Sequence, residues 1–406
     1  MKYDGRSMVI ENAKVVTPER VLENACVKIV DGVIADISTR RLNGCSKKLD
    51  IQGRYLLPGF IDLHSDAIEK EIEPRTSACF PANMAIFEMD KKLAGCGITT
   101  MYHSLSFDPR KDAVRESAMA AGIIREVNRL APMLGVRNRV HARFEISNAM
   151  AIPYLEQLLD EGSINLFSLT DHTPGQGQYR DLDAYKRISS QVFGLDYSTV
   201  TDIIDRQHRE AVPLRTDYIW KLVDRCHSLR VPIASHDDDT CEKLDIVEEM
   251  GIRITEFPIT MEVAGSAFSR NMHILLGAPN VVRGTSTGNN LDAREAIKAG
   301  FGNVLCSDYA PMTMIHAVFT LERMGIPLHR AVNMASLNPA RAVGIDSYTG
   351  SIEPDKSADL TIADLSGEAP RIVKTFVEGK EIYSTWRVPT PKGSAPNAKA
   401  EWAKQA

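Results

Sequence analysis

Apolar and polar positions alternate in short runs at both ends of the chain and follow a different rhythm in the middle. Near the start, Met8-Val9-Ile10, Lys14-Val15-Val16-Thr17 and Cys26-Val27-Lys28-Ile29-Val30 read as strands. Asp31-Gly32 then leads into Val33-Ile34-Ala35-Asp36-Ile37, which predicts a hairpin, because a type I′ turn needs positive φ at both central residues. The same device returns near the other end. Leu360-Thr361-Ile362 and Arg371-Ile372-Val373 are followed by Phe376-Val377, Glu378-Gly379 and Lys380-Glu381-Ile382-Tyr383. Two distant β-rich ends predict one small β-sandwich domain built from residues 1–57 and 346–385. Residues 386–406, rich in Pro, Ala and Lys, read as a loose tail.

Between these ends, brief β-branched runs alternate with helical stretches, the pattern of parallel βα units. Eight strands are predicted, at 54–61, 97–102, 140–146, 165–170, 231–235, 253–257, 272–276 and 303–306. Helices are predicted at 113–130, 152–161, 243–250, 291–299 and 313–324. Eight units within residues 58–345 match the size of a TIM (β/α)8 barrel, with a doubly wound sheet as the alternative. The connection from His172 to Arg230 is far longer than an ordinary loop. It is expected to carry helices of its own and to serve as a lid or an oligomer contact.

The chemistry is carried by how the apolar runs end. One ends in His64-Ser65-Asp66, another in Glu145, a third in Asp171-His172, a fourth in His236-Asp237-Asp238-Asp239, and the last in Asp308. In a parallel barrel all strand C-termini open on one face, so five runs would deliver these side chains to one mouth. Imidazole and carboxylate together suit Zn²⁺, Mn²⁺ or Fe²⁺, with two ions expected. His64 and Asp66, at i and i+2 of an extended end, would chelate one ion. Glu145 would bind one ion or bridge two, and His172 and His236 would serve the second. Asp308 would bind the first ion and take a proton from the attacking water. Taken singly, a His or Asp at a strand end is more often a cap or a satisfied polar group; five runs in phase make coincidence much rarer. Asp237 or Asp238 would orient a ligand histidine, with the others capping the next helix. His103 is expected at a strand end lining the pocket. His141 is placed at the barrel's far end as a structural residue.

Composition changes this picture in one respect. The 406 residues carry 48 Lys+Arg against 53 Asp+Glu, a formal net charge of -5, which argues against nucleic-acid or anionic-membrane partners. Several of the acidic residues are the proposed metal ligands, so a polyphosphate remains an acceptable small-molecule substrate. No secretory leader or membrane-spanning run is expected. The seven scattered cysteines, with no CxxC pair, fit reduced thiols in a cytoplasm. A homodimer is the commonest oligomer for such a chain.

The stretch Leu57-Pro58-Gly59-Phe60-Ile61-Asp62-Leu63-His64, with Asn338-Pro339-Ala340, Gly350-Ser351-Ile352 and Lys356-Ser357-Ala358-Asp359-Leu360, resembles the amidohydrolase superfamily of metal-dependent hydrolases. The first motif departs from the common pattern, being His-x-Asp rather than His-x-His. That departure, with Glu73-Pro74-Arg75, Asp171-His172-Thr173-Pro174-Gly175-Gln176, Ser235-His236-Asp237-Asp238, Glu256-Phe257-Pro258 and Gly277-Ala278-Pro279-Asn280, is similar to the phosphonate-metabolism branch. The resemblance implies hydrolysis of a sugar 5-triphosphate to pyrophosphate and a 5-phosphate. It carries metal roles onto His64, Asp66, Glu145, His172, His236 and Asp308. Arginine forks suit phosphate oxygens, and Arg75, Arg143, Arg180 and Arg283 are the candidates beside the motifs, Arg283 first among them and Lys70 behind them. Arg143, alternating with Phe144 on a strand, is expected at the surface or in a salt bridge. Two other classes stay open: a C–N hydrolase of the same superfamily, acting on a cyclic amide or an aminated base, and an inactive barrel kept as a scaffold.

Overall fold

The computed structural model describes residues 7–42, 45–108, 113–194, 196–209, 211–286 and 290–385. The expected tail at 386–406 lies outside the described residues.

The first five strands are β1 (Ser7–Val16), β2 (Val21–Val30), β3 (Val33–Ser38), β4 (Lys47–Asp50) and β5 (Tyr55–Pro58). Asp31 and Gly32 take φ of 50° and 83°, the left-handed pair that a two-residue hairpin demands. Next come the eight barrel strands. They are β6 (Phe60–Ser65), β7 (Ile98–Phe107), β8 (Arg137–Glu145), β9 (Leu166–Thr170), β10 (Ile233–His236), β11 (Ile254–Glu256), β12 (His273–Gly277) and β13 (Val304–Cys306). Each pairs in parallel with its sequence neighbours, and a parallel bridge between Ser65 and Asp308 joins the last strand to the first. Finally β14 (Leu360–Asp364), β15 (Arg371–Val377) and β16 (Lys380–Ser384) return to the first sheet, where β14 pairs with β5. The fold is thus a (β/α)8 barrel with a small mixed sheet made from both ends of the chain.

The small sheet wraps over its own apolar core of Val27, Ile29, Leu56, Leu360 and Phe376. Its far edges meet through backbone hydrogen bonds from Ala358 to Gly32 (2.8 Å) and from Gly379 to Ala358 (2.9 Å). Passage from sheet to barrel runs through Gly59. A Cβ there would fall 2.2 Å from Thr99 Oγ1, so only glycine lets β5 continue into β6. The barrel's outer layer packs residues such as Phe144, Phe167 and Leu276 against helices including Ala82–Gly95, Ser117–Leu130 and Thr313–Arg323.

Two differences from the sequence reading bear on the site. The second barrel strand runs on to Phe107, ending beside Asp108 rather than near Tyr102. The long connection folds into the helices Leu182–Phe193, Tyr197–Arg209 and Asp217–Ser228. Among the described residues no helix is long and apolar enough to cross a membrane.

Candidate metal centre at the barrel mouth

Strand β8 shows how the sequence builds the site. From Arg139 onward it alternates Arg139, His141, Arg143 and Glu145 with Val140, Ala142 and Phe144. In a strand this period puts the two sets on opposite faces. Val140, Ala142 and Phe144 join the outer core under the helices, so the polar set lines the barrel interior. His141 is therefore mid-barrel, not at the far end. Its Nδ1 lies 3.0 Å from the Leu63 carbonyl and its Nε2 2.9 Å from Ser168 Oγ.

The mouth gathers three groups whose ligand atoms lie within 4.8 Å of one another: His64, His141 and Glu256; His172, His236 and Asp237; and Asp108, Glu145 and His172. His172 Nδ1 is 2.8 Å from Glu145 Oε2, and His64 Nδ1 is 3.1 Å from Glu256 Oε1. The groups are contiguous: the His64 and His236 rings are 5.3 Å apart, and the His172 and His236 rings 6.0 Å. All these side chains are buried. Within this set, Glu256 Oε2 is buried without a hydrogen bond, which is costly for a polar atom unless a ligand takes it up, and His236 Nδ1 and Asp237 Oδ2 have only each other, 3.1 Å apart. Imidazole nitrogens and carboxylate oxygens at this spacing fit a divalent cation.

Asp66 and Asp308 stand beside these groups rather than in them. Asp66 does not hold the extended i, i+2 position expected beside His64, because β6 ends at Ser65 and Asp66 turns into the helix Ala67–Ile72, with φ −92° and ψ 11°. Its Oδ2 accepts a bond from Arg115 Nη2 at 3.3 Å. Asp308 is clamped by its backbone: its N–H donates to the His64 carbonyl (2.9 Å), and its own carbonyl accepts from Asp66 N–H (2.8 Å). Burial, then the nearby Asp66 charge, pushes the Asp308 carboxyl up to about 7. Burial raises the carboxyl of Asp62 to about 6. Burial, reinforced by Arg143 and His236, holds His64 well below the ordinary histidine range. Burial opposes ionisation of Asp237, yet His236, His172 and Lys243 together outweigh it and bring Asp237 down to about 2.

The backbone is also strained where the donors emerge. Asp237, Phe257 and Asp308, just past the ends of β10, β11 and β13, take φ of 53°, 55° and 57°. Left-handed geometry is unfavourable for such residues and concentrates at functional sites.

The other expected site residues are placed as follows. Asp237 Oδ2 lies 3.1 Å from His236 Nδ1 and 4.0 Å from His172 Nε2, beside both histidines. Asp238 accepts hydrogen bonds from Ser235 and Thr255 hydroxyls and pairs with Lys243. The next helix is capped by Thr240 rather than by the aspartates. His103 is turned away from the mouth: its Nε2 is 2.6 Å from Asn138 Oδ1, and Asn138 in turn donates to Asp90 in the outer helix layer. One step of register decides this, since neighbouring residues Tyr102 and Ser104 face inward, Tyr102 in the interior core and Ser104 on His141. Arg283 is exposed at the far end of the helix Ala278–Arg283, and Arg75 is exposed in the turn after the first short helix. Arg180 follows Tyr179, whose ring packs 5.9 Å from that of His172, so the long connection brings it to the rim. Arg143, expected at the surface or salt-bridged, is buried inside the mouth at 5% exposure.

Four residues of the mouth had no place among the expected ligands: Asp108, His141, Glu256 and Arg143. Glu69 is a further addition. It is buried, receives Arg115 Nε at 2.7 Å, and so anchors the arginine that holds Asp66.

A family model described as the amidohydrolase family matches residues 202–386. With the barrel, the terminal sheet and the mouth described above, this match makes the chain similar to the amidohydrolase family over that part of its length. Among individual proteins, it is 28% identical to the alpha-D-ribose 1-methylphosphonate 5-triphosphate diphosphatase of Escherichia coli K12, over 93% of this chain and all of that protein. It is 22% identical to a dihydroorotase of Elusimicrobium minutum, over 90% of this chain and 89% of that protein. The solved N-acetylglucosamine-6-phosphate deacetylase of Pasteurella multocida shares the fold, with a TM-score of 0.60 and 16% identity over 92% of this chain and 99% of that one.

Proposed function

We propose that this hydrolase cleaves a phosphoanhydride bond in a phosphorylated small molecule, with a sugar 5-triphosphate as the substrate class and pyrophosphate as a product. The observation that carries the reading is the end-to-end match to the Escherichia coli diphosphatase. The buried donor set supports it. His64, Glu145, His172 and His236, with Asp108, His141, Asp237 and Glu256 as added donors, would hold one or two divalent ions. Bound there, such ions activate water and neutralise phosphoryl charge, the two needs of phosphoanhydride hydrolysis.

The protein's own groups supply the rest. Asp308, fixed by two backbone bonds to His64 and Asp66 at the end of β6, accepts the proton of the attacking water at its carboxylate. Arg115, gripped by Glu69, keeps Asp66 in place at the edge of the cluster. The barrel walls exclude bulk water, which strengthens each of these interactions.

The test is a product assay on the purified full chain supplied with Zn²⁺, Mn²⁺ or Fe²⁺. Sugar and nucleoside triphosphates are screened for released pyrophosphate, and cyclic amides and aminated bases for released ammonia or new carboxylate. Pyrophosphate from a sugar triphosphate supports the proposal. Ammonia or carboxylate without pyrophosphate transfers the chain to the C–N hydrolases. Neither product, with no metal retained, leaves an inactive scaffold.

A further inference from the structure

Arg143 sits on the inner face of β8 between His141 and Glu145, with Ser106 and Ser168 opposite it on the adjoining strands. It is buried, and among the described residues its guanidinium forms no hydrogen bond or ion pair; Nε in particular is fully enclosed and unsatisfied. A buried, unpaired guanidinium is among the most costly arrangements in a protein interior. Neighbouring carboxylates do not relieve it, because each has another partner: Glu145 is taken by His172, Glu256 by His64, and Glu69 by Arg115. Yet Arg143 is close enough for its charge to act on His64, His141, Glu69, Glu256 and Asp308. Its five donors form a rigid planar fork that matches a phosphoryl group in two-point contact.

We infer that Arg143 is the binding fork for a phosphoryl oxyanion of the substrate, placed inside the barrel beside the metal-ligand cluster. This rests on the phosphoanhydride reading and deepens it. The exposed arginines Arg75, Arg180 and Arg283 then have at most a rim role, while Arg143 meets the phosphoryl group in the dry interior. A buried cation whose counter-ion arrives with the substrate discriminates strongly against neutral substrates such as amides.

The probe is inorganic pyrophosphate, titrated by calorimetry into the metal-loaded full chain, with thermal unfolding followed in parallel. Wild type binds pyrophosphate. R143Q binds it about 30- to 100-fold more weakly, the range expected for losing a charge-assisted two-point contact. R143K, which keeps the charge without the fork, loses about tenfold or more. The unfolding midpoint of R143Q in the absence of ligand is unchanged or higher, because an unpaired buried charge has been removed; a merely structural arginine would lower it. Three outcomes overturn the inference: wild type binds no pyrophosphate, R143Q or R143K binds it as tightly as wild type, or unfolding is strongly destabilised in both variants. The two readings fail separately. If pyrophosphate binds through Arg143 but no triphosphate is cleaved, the fork stands and the activity falls. If R143Q cleaves a triphosphate at the wild-type KM, the activity stands and the fork falls.

Discussion

Arg137 and Arg143 lie six positions apart on the same face of the same strand and meet opposite fates. Arg137, at the floor of the barrel, is paired with Asp359 and Glu378 and donates to Ser357 Oγ at 3.1 Å, tying β8 to the terminal sheet. Arg143, at the mouth, is more deeply buried and has no such partner. In this fold the bottom face serves stability and the C-terminal face serves chemistry. The two arginines show that division within a single strand: one end satisfies its charge internally, the other holds its charge ready for a ligand.

The contrast can be broken from either end. The largest effect is expected at the mouth. Asp308→Asn should lower kcat by about 10² to 10⁴-fold, the usual worth of a general base, while metal content and unfolding midpoint stay near wild type. Steady-state kinetics with elemental analysis checks this, and near-full turnover would remove Asp308 from its role. At the floor, Arg137→Ala removes the counter-charge of the buried Asp359, which keeps bonds from Thr349, Ser357 and the Glu378 N–H, and should cost about 1.5–3 kcal/mol of stability, with pyrophosphate affinity unchanged. Denaturant melts beside the calorimetry separate the two effects.

A smaller effect concerns His103, which belongs to the structural set. Burial lowers it from its ordinary value of 6.5 to about 4. Below pH 6.5 the unfolded chain takes up a proton that the folded chain refuses, so this contribution is complete above 6.5 and is lost as pH falls toward 4. Between pH 7.5 and 5 wild type should lose about 2 kcal/mol more than His103→Gln. Equal pH slopes would show that His103 protonates freely in the fold. An effect of similar size falls at the junction: Gly59→Ala forces a methyl group onto Thr99 and should cost about 1–3 kcal/mol, read as a lower unfolding midpoint with the mouth chemistry intact.

The fold was legible in the sequence because its signals are local. Asp31-Gly32 and Glu378-Gly379 announce their hairpins, and the eight β-branched runs fall within a few residues of β6 to β13. The strand-end rule also pointed to His64, Glu145, His172 and His236, which the structure brings together at the mouth. It failed where a strand was ended too soon, so that Asp108 fell outside, and where a functional residue sits inside a strand rather than at its tip. Both faces of a barrel strand are buried, so hydrophobicity alone does not say which side faces the mouth. The clue for Arg143 was nonetheless present: Arg139, His141, Arg143 and Glu145 form an unbroken polar row opposite Val140, Ala142 and Phe144. Glu145 at the tip of that row fixes its direction, and Arg143 and His141 follow by parity. Glu69 and Arg115 had no such signal, since their pairing joins residues 46 positions apart through tertiary contact.

The central claim is that the barrel mouth is a divalent-metal hydrolytic site. Its most direct test is to strip the full chain with a chelator, titrate Zn²⁺ or Mn²⁺ back by calorimetry, and follow hydrolysis of the best substrate at each point. The account predicts loss of turnover on stripping, and recovery that saturates at one or two ions per chain. Undiminished turnover by the metal-free chain, or no binding of either ion, would contradict it.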